Sequence, residues 1–190
     1  HLRCLTYRKT TGGGSSVFTR GKKQDIKEEK IEQTILKKYN SYYRMAISFV
    51  HNEADAADIV QEGAYKAIRN SVSLKHVEYA ETWIYRIMMN EIYRRLDTKE
   101  IEFIENEDFA ELQVEDTYEN IDLKRALDSM SDNDKTVIQL KYFEGLKLDE
   151  IAHILGENLS TVKSRLYRGL KKLRCEMDDC GMKGDEHNAG

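Results

Sequence analysis

Proline is absent from all 190 residues. The residue that most often interrupts a helix therefore never does so, which favours long helices. No apolar run approaches the ~18–20 residues that a membrane-spanning helix needs, so no membrane insertion is expected. Cysteine is scarce: Cys4, Cys175 and Cys180 are an odd count with no recognisable secretory leader, which argues against a disulfide framework. Cys175 and Cys180 with His187 make a poor metal site, with four residues between the cysteines and no fourth ligand. The five histidines are scattered, and no His, Cys, Asp or Glu group has catalytic spacing. The expectation is an all-α, cytoplasmic protein that is not an enzyme, with no metal, cofactor, catalytic residue or small-molecule substrate.

What is present is charge, unevenly placed. The net charge is −4, yet between Asn158 and Cys175 there are six Lys or Arg (163, 165, 168, 171, 172, 174) and no acid. That basic run lies in LDEIAHILGENLSTVKSRLYRGLKKLR, residues 148–174, which reads as two helices joined by a tight turn. Ile151, Ala152, Ile154 and Leu155 suit a short buried helix. Gly156 supplies the backbone freedom that ends it, and Ser160 is a good N-cap for the next. At about 100° per residue, Val162, Leu166, Leu170 and Leu173 share a face about 80° wide. Thr161, Ser164, Arg168 and Lys171 lie opposite, with Lys163 and Tyr167 on a flank. A charge run alone is usually a solvated face. Combined with this spacing, the turn and the cap, it reads as a helix-turn-helix whose second helix enters the major groove.

The rest of the chain divides around this pair. Residues 1–24 (TTGGGSS and KK, no apolar period) read as a flexible leader, and the first residue is not Met. Helical periodicity begins at Asp25, with Ile26, Ile31, Ile35, Leu36, Tyr39, Tyr42, Tyr43, Met45 and Phe49 as an apolar and aromatic stripe expected in a core. A helix over 54–69 buries Ile59, Val60, Ala64, Ala67 and Ile68, leaving Asp58, Gln61, Glu62 and Tyr65 on its other side. By periodicity alone that acidic edge is a solvated face. Residues 70–79 read as a loop. A helix over 80–96 buries Ile84, Met88, Ile92 and Leu96. Trp83, Arg86, Asn90 and Arg94 gather on another face, where they could stack on bases, hold phosphates and bond a base edge; a lone Trp near a helix start is more often a core anchor. Residues 100–122 hold ten acids and no Lys or Arg, leaving +6 for the rest of the chain. They read as a linker. Two short helices follow, the second capped by Ser131 with Val137, Ile138, Leu140, Tyr142 and Phe143 apolar, and Gly145 closes it. The architecture expected is two small helical domains, 25–96 and 121–175, joined by an acidic linker over 97–120, with a flexible tail at 176–190. The C-terminal domain is a four-helix helix-turn-helix unit.

This plan resembles the extracytoplasmic-function class of bacterial RNA polymerase sigma factors, over roughly 25–175. DAADIVQEGAYKAIR resembles the family's core-binding helix with its D-x-x-Q-E pattern, at Asp58, Gln61 and Glu62, with Tyr65 beside them. ETWIYRIMMNEIYRR resembles its promoter-melting helix, W-[LI]-x-x-I-x-x-N. The match implies that Asn90 and the loop 70–79 receive a flipped base of the −10 element, with Trp83, Arg86, Arg94 and Arg95 along the strand; flipping costs a few kcal/mol of unstacking. T-V-[KR]-S-R-x-x-R is present at 161–168. It implies that Thr161, Lys163, Ser164, Arg165, Tyr167, Arg168 and Lys171 form the face toward the −35 element.

Three residues depart from the pattern. Ser131 stands in a Ser129-Met130-Ser131 stretch where the family usually has proline. Lys163 is a point donor where a forked Arg is common. Glu91 puts an acid beside Asn90. The resemblance implies core RNA polymerase and promoter DNA as partners, and an anti-sigma factor as a sequestering one. The rival reading is a free-standing helix-turn-helix transcriptional regulator, usually a dimer on a two-fold site. A second DNA face in 54–95 argues against it. An antagonist that mimics a sigma factor would need its basic 160–174 face blocked, and that face is intact.

Overall fold

A computed structural model describes residues 15–105 and 121–181, with helices and turns but no strand among the described residues. The N-terminal domain is three helices: α1 (Ser15–Val50), α2 (Glu53–Arg69) and α3 (Ala80–Glu105). α1 begins ten residues before the expected start at Asp25, so 15–24 is helix rather than flexible leader. Gln24 fastens this end, bonding Glu28 at 2.7 Å and Ser71 Oγ at 2.6 Å in the loop after α2. Asn52 caps α2 by accepting from the Asp55 N–H at 3.0 Å, and Glu53 and Asp55 lie in the first turn, where the helix dipole favours acids. The loop 70–79 contains two 3₁₀ turns, Ser71–Ser73 and Val77–Tyr79. α3 continues to Glu105, nine residues beyond the expected end at Leu96, because nothing in 97–105 breaks a helix. The remainder of the expected linker, from 106 to 120, lies outside the described residues.

The expected apolar stripes form the core. Ile31, Ile35, Tyr42, Met45 and Phe49 of α1 pack with Ile59, Val60 and Ala67 of α2 and with Ile84, Tyr85, Met88 and Ile92 of α3. Ile26, Leu36 and Tyr39 depart from that reading and are exposed on α1.

The C-terminal domain comprises α4 (Ile121–Asp128), α5 (Asp132–Ile138), a π-helical turn over Gln139–Phe143, α6 (Leu148–Leu155) and α7 (Leu159–Gly181). Ser131 caps α5 as expected, accepting from the Asp134 N–H at 3.3 Å. The π turn inserts an extra residue into the helical phase, which swings the next side chains by about 100°. Tyr142 and Phe143, expected among the apolar core positions, therefore point outward. α7 runs seven residues past the expected end at Arg174. Leu127, Met130 and Ile138 close α4 and α5 on Leu166 and Leu173 of α7.

The two domains pack against each other. Val137, Leu140, Leu146, Ile151, Ile154 and Val162 join the same apolar core as α3. Polar ties cross the boundary: buried Lys135, held by Asp128 of its own domain at 2.5 Å, donates to the Ser48 carbonyl at 2.6 Å. Gln139 donates to Ser48 Oγ at 2.6 Å, and Tyr93 OH meets Thr136 Oγ1 at 2.8 Å. The Tyr85 hydroxyl donates to Glu144, which also lies 3.8 Å from Lys38. Burial first, and the Glu144 bond after it, push the Tyr85 phenol well above its ordinary pKa.

Candidate nucleic-acid interface

The C-terminal face is built by a tight turn and one close helix crossing. Gly156 adopts φ 68°, the left-handed conformation that glycine enters without strain, and ends α6. The helix then starts at Leu159, so the capping residue is Asn158 and not Ser160. Asn158 Oδ1 accepts from the Thr161 N–H at 2.8 Å, from Ser160 Oγ at 2.6 Å and from Thr161 Oγ1 at 2.9 Å. Ser160 and Thr161 thus serve the turn. Arg165 does too: its guanidinium lies 2.7 Å from Glu157 and is 15% exposed, so it braces α7 against the turn. Val162 is fully buried beneath.

The other expected −35 residues face outward. Lys163, Ser164, Tyr167, Arg168 and Lys171 are all exposed. Arg168 is held from α5 by Asp134, with Nε–Oδ2 3.2 Å and Nη2–Oδ1 2.8 Å. Lys172 turns away to donate to the Ser129 carbonyl. The result is a basic, aromatic-bearing ridge at the N-terminal half of a helix, the part that contacts base edges in this motif.

The N-terminal domain carries two different faces. On α2, Asp58, Gln61 and Tyr65 are exposed along one strip, and the Arg69 guanidinium lies 5.9 Å from the Tyr65 ring centroid. Glu62 sits at the edge of that strip, half-buried and 3.4 Å from Lys66. On α3, Arg86, Asn90 and Arg94 are exposed on one side and Trp83 is half-buried at its start. Arg95 is placed differently from its expected neighbours. It bonds Asp55 of α2 and is half-buried, which makes it a tie between helices.

Glu91, the acid next to Asn90, turns inward. It is 4% exposed and takes Lys66 Nζ at 2.7 Å and Arg94 Nε at 3.0 Å. Burial works against its ionisation. The hydrogen bonds and charges of Lys66 and Arg94 outweigh that, so its pKa lies below the ordinary value of 4.5. Lys66 is raised in turn, chiefly by the Glu91 bond. Glu91 therefore presents little negative charge to the surface and aims Arg94 along the helix. Sequence reading missed this because Lys66, its partner, is 25 residues away.

Trp83 and Arg86 line a cleft of about 570 Å³ with Ser73, Leu74, Lys75, His76, Tyr79 and Thr82, and Asp149, Glu150 and His153 of α6 close its far wall. The loop 70–79 and the start of α3 are thus brought together, with the C-terminal domain lying against them. Asn90 and Arg94 are not among the residues that line it. Among the described residues there is no group of His, Cys, Asp or Glu able to hold a metal, and no helix long and apolar enough to cross a membrane.

A helix-turn-helix with an exposed basic ridge, joined to a second helical domain with its own Arg, Asn and Trp face, suits a protein that reads DNA. Comparison with known proteins gives the family. Residues 35–100 match Sigma-70 region 2 and residues 121–173 match Sigma-70, region 4. The RNA polymerase sigma factor SigV of Bacillus subtilis is 42% identical over 139 residues, covering 72% of this chain and 84% of that protein. The ECF RNA polymerase sigma factor SigW of the same organism is 28% identical over 155 residues, covering 72% and 83%. Among solved structures, the sigma factor RpoE of Bartonella quintana shares the fold at TM-score 0.68 and 23% identity, covering 77% of this chain and 96% of that one. The chain belongs to the extracytoplasmic-function class of the sigma-70 family and is a promoter-specific sigma factor of RNA polymerase. The region 2 match over α1–α3 sets aside the free-standing regulator, and sigma factors are not enzymes in the catalytic sense.

Proposed function

We propose a division of labour among three faces. The α2 strip of Asp58, Gln61, Glu62 and Tyr65 grips core polymerase. The α3 face of Trp83, Arg86, Asn90 and Arg94, with the loop 70–79, holds the melted −10 strand. The α7 ridge of Lys163, Ser164, Tyr167, Arg168 and Lys171 reads the −35 element in the major groove. Arg95, Thr161 and Arg165 support these faces through Asp55, Asn158 and Glu157. The observation that carries the proposal is the separation of exposed groups: the α2 strip and the α3 face lie on different helices of one small domain, and the α7 ridge on the other.

Elements centred near −10 and −35 stand about 25 base pairs apart, roughly 85 Å at 3.4 Å per pair. In this structure α6 closes on the start of α3. Engaging both elements therefore requires α6 to leave the start of α3. The protein works in the cytoplasm, where polymerase and promoter are. Its free form is held by an anti-sigma factor, as the RpoE of Bartonella quintana was solved with one, NepR.

Alanine at both Gln61 and Glu62 tests the first assignment. Core-polymerase affinity measured by fluorescence anisotropy should fall at least tenfold while the circular dichroism spectrum stays unchanged. Unaltered affinity would remove the α2 strip from the core interface.

A further inference from the structure

Arg168 is not a free cation on the recognition helix. We infer that Asp134 is the positioning residue that fixes it to read a guanine in the −35 element. This rests on the reading of the α7 ridge as the major-groove face.

The geometry is a side-on fork. Asp134 sits in the first turn of α5, where Ser131 accepts from its N–H as the helix cap, and its side chain is only 15% exposed. Its two oxygens take Nε and Nη2 of Arg168, whose own side chain remains 59% exposed. Gly169 eases the approach. A Cβ there would stand 2.8 Å from Ile138 Cγ1, so glycine lets α7 lie against α5 beside Arg168 without pushing Ile138 aside.

A guanidinium has five N–H donors in a rigid plane. Two are committed to Asp134. The second N–H of Nη2 and both of Nη1 are not used by Asp134, and one from each nitrogen makes an end-on fork on a side chain that is largely exposed. That fork fits two adjacent acceptors, which in the major groove means O6 and N7 of guanine. A held arginine also loses less rotamer freedom on binding than a loose one. Because the carboxylate neutralises it, the pair adds little general attraction to phosphate. Asp134 thus converts a charge into a reader.

Core polymerase carrying each variant of the full chain would be used to select duplexes from a pool randomised across the −35 element. Wild type should enrich guanine at one position. Asp134→Asn and Asp134→Ala should each cut that enrichment about tenfold, leave the other positions and the −10 element unchanged, and steepen the slope of log affinity against log salt by about one, as an arginine no longer neutralised reaches phosphate. Arg168→Ala should abolish the same preference. Ser131→Ala, which weakens the α5 cap without touching the fork, should lower the melting temperature and keep the guanine. Retained guanine in both Asp134 variants, with loss only in Arg168→Ala, would overturn the positioning role alone. An unchanged −35 preference in Arg168→Ala would overturn the α7 assignment and the positioning role together.

Discussion

Substituting Glu91 by Gln isolates what the buried carboxylate contributes. Glu91 is the hub of a three-residue cluster, with its side chain 6% exposed, Lys66 35% exposed and Arg94 63% exposed. A hydrogen bond to a charged group contributes roughly 1.5–3 kcal/mol when both partners are shielded. Here both cations reach solvent and recover hydration when the acid is lost, so surface screening discounts each bond by half or more. Gln also keeps one acceptor. The expected loss is about 1–2 kcal/mol at pH 7, read from urea unfolding of the two proteins side by side.

The pH dependence gives the sharper test. Glu91 has a folded pKa below its ordinary 4.5. Its contribution is therefore full above about 4.5 and disappears as pH falls through the folded value. Lys66 is raised above its ordinary 10.5, so its side of the pair holds below about 10.5 and is lost as pH climbs through the folded value. The difference between wild type and Glu91→Gln should be flat between about pH 5.5 and 9.5 and shrink below pH 4. A difference that persists unchanged at pH 3.5 would mean that shape, not charge, is what Gln fails to supply, and the ion-pair account would be wrong.

Other substitutions test the packing. Lys135→Ala removes a side chain 4% exposed that ties α5 to the Ser48 carbonyl and Asp128, and should cost about 2–4 kcal/mol in urea unfolding; less than 1 would mean that the domains do not meet there. Asn158→Ala should lower stability by about 1 kcal/mol, with Ser160→Ala much smaller; the reverse order would restore Ser160 as the cap. Gly169→Ala should destabilise by about 1–2 kcal/mol by forcing Ile138 aside, and less so in an Ile138→Ala background; additive effects would contradict a direct clash.

The parts legible in the sequence were those written locally. The α6–turn–α7 unit shows in Gly156 and the one-signed charge after it, and the α3 stripe of Ile84, Met88 and Ile92 shows in its four-residue period. Where two local signals compete, the sequence alone does not decide between them. Asn158 and Ser160 are both good caps two residues apart, and only the backbone decides. The acidity of 97–105 resembles a linker, although it contains nothing that stops a helix. The π turn at Gln139–Phe143 has no residue signature, so the exposure of Tyr142 and Phe143 was hidden behind an ordinary helical period. Least legible were side chains whose fate depends on distant partners. Arg95 answers to Asp55, 40 residues away, and Arg168 to Asp134, 34 away. The contact of Lys135 with Ser48, which joins the domains, spans 87 residues. Motif position says which residues gather near DNA, and packing says which of them are free to touch it.

The central claim is that two DNA faces on separate domains read separate promoter elements. Run-off transcription with purified core polymerase tests it most directly, crossing two protein variants with two templates, one altered in the −35 element and one in the −10 element. Arg168→Ala should make initiation indifferent to the −35 change while leaving full sensitivity to the −10 change. Asn90→Ala should do the opposite. If either variant lost sensitivity to both elements equally, or to neither, the assignment of one face to each element would be contradicted.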